Sequence, residues 1–232
     1  MESNCSPHQP SGSLRAVRRA SFALVTLLTL CVAVAASAQP LSREQALQAL
    51  KNQGDVDARR QGAAWLGDSG LMADVPLLVG ALRDPDEIVR ALAEHSLWQV
   101  WSRSGDPEID NLFQLGMEQM NQRDAEAAIK TFSLIIQKKP NFPEGWNKRA
   151  TLYYLTGEYE KSLADCEEVI KRNPVHFGAL SGFGLIYLQL GKPEKALEYF
   201  RRALAVNPNL NRVEATVNEL KRLLIEKQRD TI

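Results

Sequence analysis

The sequence predicts an all-α fold, a solenoid of helical hairpins, on three observations. Several kinds of residue recur at a fixed step of 34: Pro140, Pro174 and Pro208; Gly157 and Gly191; Tyr153 and Tyr187; Leu112, Trp146 and Leu180. One four-residue spacing recurs in the same register, as Ala128-x3-Phe132, Ser162-x3-Cys166 and Ala196-x3-Phe200. Each recurring proline sits where a second helix must stop, because proline lacks the N–H that would continue the ladder. A period of this length marks a stack of supersecondary units, none of which buries its apolar face alone.

The chain has 232 residues, with 28 basic and 28 acidic side chains. That suffices for one or two domains with a core. A balanced charge gives no electrostatic footprint for a nucleic-acid partner. The N-terminus reads as an export signal over residues 1–38. Arg15, Arg18 and Arg19 are followed by the uncharged apolar stretch 20–36 and by the small residues Ala36, Ser37 and Ala38. The expected product is periplasmic or secreted, cleaved near Ala38. The competing reading is an uncleaved inner-membrane anchor formed by residues 20–36, which is short against the roughly 20 residues of a span. Membrane association is expected only in that case. Cleavage would remove Cys5 and Cys31, leave Cys166 without an intrachain partner, and leave 25 basic and 27 acidic residues.

Residues 40–104 read as further helices. Ser42 is a candidate cap with Gln45 three residues on. Two stretches echo one another at a step of 31, in Asp55 and Asp86, Arg59 and Arg90, Leu66 and Leu97. Val75, Pro76, Leu78, Ala81, Leu82, Asp84, Asp86, Val89 and Arg90 resemble the core of a short HEAT repeat of the kind seen in phycobilin lyases. That resemblance implies Asp–Arg bonds between neighbouring units. Trp65, Trp98 and Trp101 are expected in the core or at the seam with the 34-residue repeats, and one continuous solenoid is expected.

The 34-residue repeat, with Trp146, Tyr153, Gly157 and Pro174 or Leu180, Gly184, Tyr187, Ala196, Phe200 and Pro208 in register, resembles the tetratricopeptide repeat family. The resemblance spans 109–210 as three repeats, 109–142, 143–176 and 177–210, and implies a right-handed superhelix of two helices per repeat. Gly116, Ala150 and Gly184 are the small residues that let paired helices approach. Three departures stand out: Arg149 where the pattern has Leu, Ser162 for Ala, and Gln119 for Tyr. They predict either a loosely packed second repeat or an Arg149 that carries its charge out to solvent. Residues 211–229 read as a C-terminal capping helix, with Val213, Val217, Leu220 and Leu224 on one face and Asn211 with Glu214 as a capping pair.

No catalytic, metal or cofactor site is expected. Gly191-Lys192 is not a phosphate loop, because Ile186 stands where that loop needs its first glycine and Pro193 where it needs a hydroxyl. His95 and His176 have no ligand partners at metal spacing. Cys166 with His176 as base is the one nucleophile arrangement to weigh. Cys166 instead takes the place of Phe132 and Phe200, a core position where cysteine acts as a small hydrophobe.

The expected partner is therefore a protein or peptide, with no nucleic acid. The resemblance implies a concave surface lined by the first helix of each repeat. It selects Phe113, Met117 and Met120; Asn147, Thr151 and Tyr154; Ser181, Leu185 and Leu188. An apolar face of this kind marks an interaction site, and the alternative is that these residues pack against neighbouring helices. Phe113, Met117 and Thr151 stand where the family's clamp for a terminal carboxylate would be polar or charged, so that mode is not expected. The function expected is an exported scaffold or adaptor in a bacterial envelope complex. The alternatives are a lyase-like enzyme and a self-assembling structural protein.

Overall fold

The computed structural model describes residues 41–229; residues 1–40, where the export signal is expected, and residues 230–232 lie outside the described residues. The described residues form eleven α-helices and no strand. The helices are α1 (Arg43–Lys51), α2 (Val56–Ser69), α3 (Val75–Ala81), α4 (Glu87–Trp101), α5 (Pro107–Asn121) and α6 (Ala125–Lys138). Then come α7 (Pro143–Leu155), α8 (Tyr159–Arg172), α9 (Phe177–Gln189), α10 (Pro193–Val206) and α11 (Asn211–Arg229). None is long and apolar enough to cross a membrane.

The sequence supplies most helix starts. Ser42 and Gln45 form the expected reciprocal box, Ser42 Oγ accepting from the Gln45 N–H at 3.2 Å and Gln45 Oε1 accepting from the Ser42 N–H at 2.7 Å. Asp55, Asp86 and Asp124 cap α2, α4 and α6 with their carboxylates. Pro107, Pro143 and Pro193 open α5, α7 and α10, where a missing N–H has no consequence. The expected Asn211–Glu214 box does not form. Asn211 is itself the first helical residue, and the Glu214 N–H bonds the Leu210 carbonyl at 2.9 Å.

Helices α1 to α4 enclose one core around Ala46, Ala63, Leu66, Leu78, Leu82, Val89, Ala93 and Leu97. Charged pairs tie its layers together. Arg59 grips Asp84 through Nε at 2.7 Å and Nη2 at 3.1 Å, and Arg60 grips Asp86 in the same way at 3.0 and 2.7 Å. Arg90, expected to bond an aspartate, instead donates to the carbonyls of Asp84 and Pro85.

Helices α5 to α10 form three hairpins, α5–α6, α7–α8 and α9–α10. Gly116 and Gly184 leave room for the rings of Phe132 and Phe200, whose atoms would collide with an added Cβ. The turn inside each hairpin needs a left-handed residue. Gly157 (φ 80°) and Gly191 (φ 65°) supply it in the second and third hairpins, and Arg123 (φ 62°) adopts it in the first. Helix α11 buries Val217 and Leu220 against Ala196, Leu197 and Phe200, and exposes Glu219, Lys221 and Arg222.

The polar departures in the repeats are satisfied, which corrects the expectation of loose packing. Arg149 does not carry its charge to solvent. It forms a bidentate pair with the buried Asp165 (Nε–Oδ2 2.7 Å, Nη2–Oδ1 2.8 Å) and lies over the rings of Trp146 and Tyr153. Ser162 donates to the Ala150 carbonyl at 2.7 Å, and Gln119 accepts from Thr131 at 2.7 Å.

The junction between the first four helices and the repeats is not simple end-on stacking. The chain folds back, so that α4 meets the loops that open α9 and α11. Trp101 stacks on His176 with ring centroids 4.4 Å apart, and Trp98 meets His176 and Phe177 edge-on at 5.4 and 5.3 Å. Val206 and Leu210 pack on the same core. Arg83 donates to the carbonyls of Ala205 and Val206, Asn209 to that of Leu82, and Asn207 to Glu94. Trp98 and Trp101 are thus the seam residues expected, and Trp65 packs on the N-terminal core.

Candidate functional site

A cavity of about 170 Å3 lies between α7 and α9, with α8 as its floor. Five of the nine residues selected by the repeat register surround it: Asn147, Thr151 and Tyr154 from α7, and Ser181 and Leu185 from α9. Thr151 and Leu185 are the lining residues most open to solvent, Leu185 being 43% exposed, and Tyr154 is half-buried. The register places these residues on facing sides because positions three and four apart share a helix face.

The other four stand elsewhere. Phe113 is a correction: it is only 3% exposed and sits in the core of the first hairpin, edge-on to Phe132 and Phe142. A ring enclosed this way has no surface for a partner. Met117 and Met120 are half-buried against that same cluster, and Leu188 packs half-buried against the cluster under α11.

Sequence reasoning missed the floor and back of the cavity: Ala150, Ser162, Cys166, Gly182 and Ile186. Cys166 is core, as its register implies, and only 3% exposed. The signal that could have revealed the cavity is its size, since the flanking repeats hold phenylalanine there.

The lining is uncharged. Three of its hydroxyls are spent on the chain itself: Thr151 donates to the Asn147 carbonyl at 3.0 Å, Ser162 to that of Ala150 at 2.7 Å, and Ser181 to that of Phe177 at 2.8 Å, while the Tyr154 hydroxyl accepts from Gln189 at 3.5 Å. Asn147 turns its amide to both oxygens of Glu144, at 3.2 and 3.0 Å. Burial pushes the Cys166 thiol up to about 12, with Asp165 and Glu167 adding to the shift.

Beside the cavity, at the N-terminal end of α7, lies a fully buried carboxylate. Burial pushes Glu144 upward, but His176, Lys148 and Asn147 outweigh it, and its pKa is lowered to about 2. His176 Nδ1 accepts from the Ala179 N–H at 3.0 Å, so Nε2 bears the proton offered to Glu144 Oε1 at 2.5 Å. Both ring nitrogens are thereby occupied, and neither can take a proton from Cys166. A raised thiol and an engaged imidazole do not make a nucleophile and its base. Among the described residues no three His, Cys, Asp or Glu side chains converge as a metal site would need.

Comparison with known proteins agrees with this geometry. The tetratricopeptide repeat family matches at residues 143–174 and again at 179–210. A TPR repeat-containing protein of Rhizobium etli is 34% identical over 145 residues, covering 62% of this chain and 68% of that protein. Anaphase-promoting complex subunit 3 of Schizosaccharomyces pombe is 33% identical over 88 residues, 38% of this chain but only 13% of that protein. Among solved structures, the Sgt2 TPR domain from Aspergillus fumigatus superposes with a TM-score of 0.50 at 24% identity, over 53% of this chain and 83% of that one, a likeness of fold. With two repeats matched in register and a relative of this identity covered over two thirds of its length, the chain belongs to the tetratricopeptide repeat family.

Proposed function

We propose that the protein is a scaffold that holds a protein or peptide partner in the groove between α7 and α9, and that it works outside the cytoplasm in a bacterial envelope complex. One observation carries the first half: a cavity of about 170 Å3 lies between α7 and α9, walled by neutral residues, with Thr151 and Leu185 exposed on its rim. Ligand sites are concave, mostly apolar and few per protein. The name of the Schizosaccharomyces pombe relative, a subunit of a complex, agrees with an assembly role. The second half rests on the arginines, apolar stretch and small residues of positions 15–38. Helices α1 to α4 read as HEAT-like, a reading their Arg–Asp pairs support.

The test is an in-cell cross-linking capture with the full chain beside a Tyr154→Asp, Leu185→Asp variant whose circular dichroism matches wild type. A partner captured by wild type and lost by the variant is the expected result. A partner captured equally by both would remove the groove from the proposal. Sizing the N-terminal peptide of the recovered protein tests export: cleavage after Ala38 is expected, and an intact residue 1 would favour the anchor.

A further inference from the structure

The cavity exists because the second repeat lacks a ring that its neighbours possess. In the first hairpin Phe132 lies against Gly116, and in the third Phe200 lies against Gly184. The corresponding pair in the second hairpin is Cys166 with Ala150. The benzyl group is gone, and the glycine that made room for it has become alanine. Interiors pack to near-crystalline density, so a missing ring leaves space unless the backbone collapses around it. Here a cavity of about 170 Å3 remains beside the pair. A Cβ built on Gly182 meets nothing closer than Cys166 Sγ, at 3.6 Å. The space is also lined by Tyr154 and Ser181, and by Thr151 and Leu185, which are exposed to solvent.

Resting on the groove reading above, we propose that this vacancy is an anchor pocket, and that the partner peptide fills it with one uncharged aromatic or branched aliphatic side chain in place of the absent phenylalanine. Size and charge select that class together. About 150 Å3 is enough for a benzene ring in an apolar cavity, and this one measures about 170 Å3. No charged residue lines it, and the hydroxyls of Thr151, Ser162 and Ser181 already donate to backbone carbonyls. An acidic or basic side chain, or a terminal carboxylate, would lose its water there and find no counter-charge. An apolar side chain loses nothing and removes its surface from water.

The experiment pans a display library of random twelve-residue peptides against the full chain and measures the enriched peptides by titration. Two variants fill the pocket from opposite walls: Ala150→Gly with Cys166→Phe, which restores the pair used by the flanking repeats, and Gly182→Leu, whose Cβ would meet Cys166 Sγ at ordinary contact distance and whose branch would extend into the cavity. Circular dichroism and thermal midpoints check their folds, and the second variant stands if the first does not fold. Enriched peptides should share a single Phe, Leu, Ile or Val. Changing that residue to Ala should weaken binding about ten- to a hundredfold, and either filled variant should do the same. Amide resonances of Cys166 and Gly182 in wild type should shift on binding. Peptides that bind a filled variant as tightly as wild type, while Tyr154→Asp, Leu185→Asp abolishes binding, would overturn the pocket and leave the groove. Peptides that bind all variants alike, or no enrichment at all, would overturn the groove and the pocket with it. Enrichment of acidic termini would overturn the selectivity argued here.

Discussion

His176 donates its Nε2 proton to Glu144 across 2.5 Å, joining the loop before α9 to the first turn of α7 with both side chains out of contact with solvent. The carboxylate is further held by Asn147 and by Lys148, whose Nζ lies 3.6 Å from Oε2. A buried charge so engaged is stable only while it is ionised. Its pKa is lowered to about 2 from an ordinary 4.5. The stabilising contribution is therefore complete above pH 4.5 and lost as pH falls through 2. A thermal midpoint that stays level from pH 7 to 5 and falls below pH 4.5 is expected. Glu144→Gln should lower the neutral-pH stability by about 1–3 kcal/mol and flatten the acid limb. An acid limb of unchanged steepness in the variant would place the titration elsewhere.

The Arg149–Asp165 pair gives a separable prediction. Asp165 is 5% and Arg149 17% exposed at the side chain, and their two bonds form a fork that lysine cannot reproduce. Arg149→Leu restores the residue expected from the repeat pattern yet strands a buried carboxylate, so a loss of about 3–5 kcal/mol is expected. Arg149→Leu with Asp165→Leu should recover most of that loss, because two apolar residues need no partner. Urea unfolding of the two single variants and the double variant measures the coupling. A single variant as stable as wild type would mean that water reaches Asp165.

The same pair marks the limit of what was legible in the sequence. The repeat register, the hairpins and the Ser42–Gln45 cap obey local rules, so period and capping chemistry sufficed. The facing of Asn147, Thr151 and Tyr154 toward Ser181 and Leu185 comes from the same register. Register does not carry depth. Phe113 and Ser181 occupy equivalent positions, yet the ring of Phe113 is buried in a cluster with Phe132 and Phe142 while Ser181 stays half-buried. The fold-back of α4 was also hidden, since contacts such as Arg83 to Val206 span 123 positions with no repeating pattern. Asp165 as the partner of Arg149 could have been suspected, because the two are the polar intruders of one hairpin.

Arg123 is the residue whose backbone runs against its type. It holds φ 62° at the turn where the next two hairpins have Gly157 and Gly191. An L-residue in that region costs about 1–2 kcal/mol that glycine does not incur. The Arg123 side chain is exposed. Arg123→Gly should therefore raise stability by about 1 kcal/mol, read as a higher urea midpoint with an unchanged slope. Arg123→Val, β-branched and less tolerant of positive φ, should lower it. The two variants moving in the same direction would show that the turn relaxes out of the left-handed region.

The seam offers the last test, through Gly178. A Cβ there would approach the Trp98 ring to 2.5 Å, and that ring is held between His176, Phe177 and Trp101. Gly178→Val should cost about 1–3 kcal/mol as overpacking, and the strain is relieved most simply if α4 withdraws from the repeats. Withdrawal would carry Trp98 and Trp101 toward water and red-shift their fluorescence. It would also loosen the linker at Arg103, an exposed residue whose guanidinium now donates to the carbonyls of Gly67 and Gly70, so trypsin should cut there sooner. Trp98→Ala in the same chain removes the collision and should restore the slow cleavage. Red-shifted fluorescence with slow cleavage would instead mean that Trp98 turns aside while Arg83, Asn207 and Asn209 keep the two layers joined.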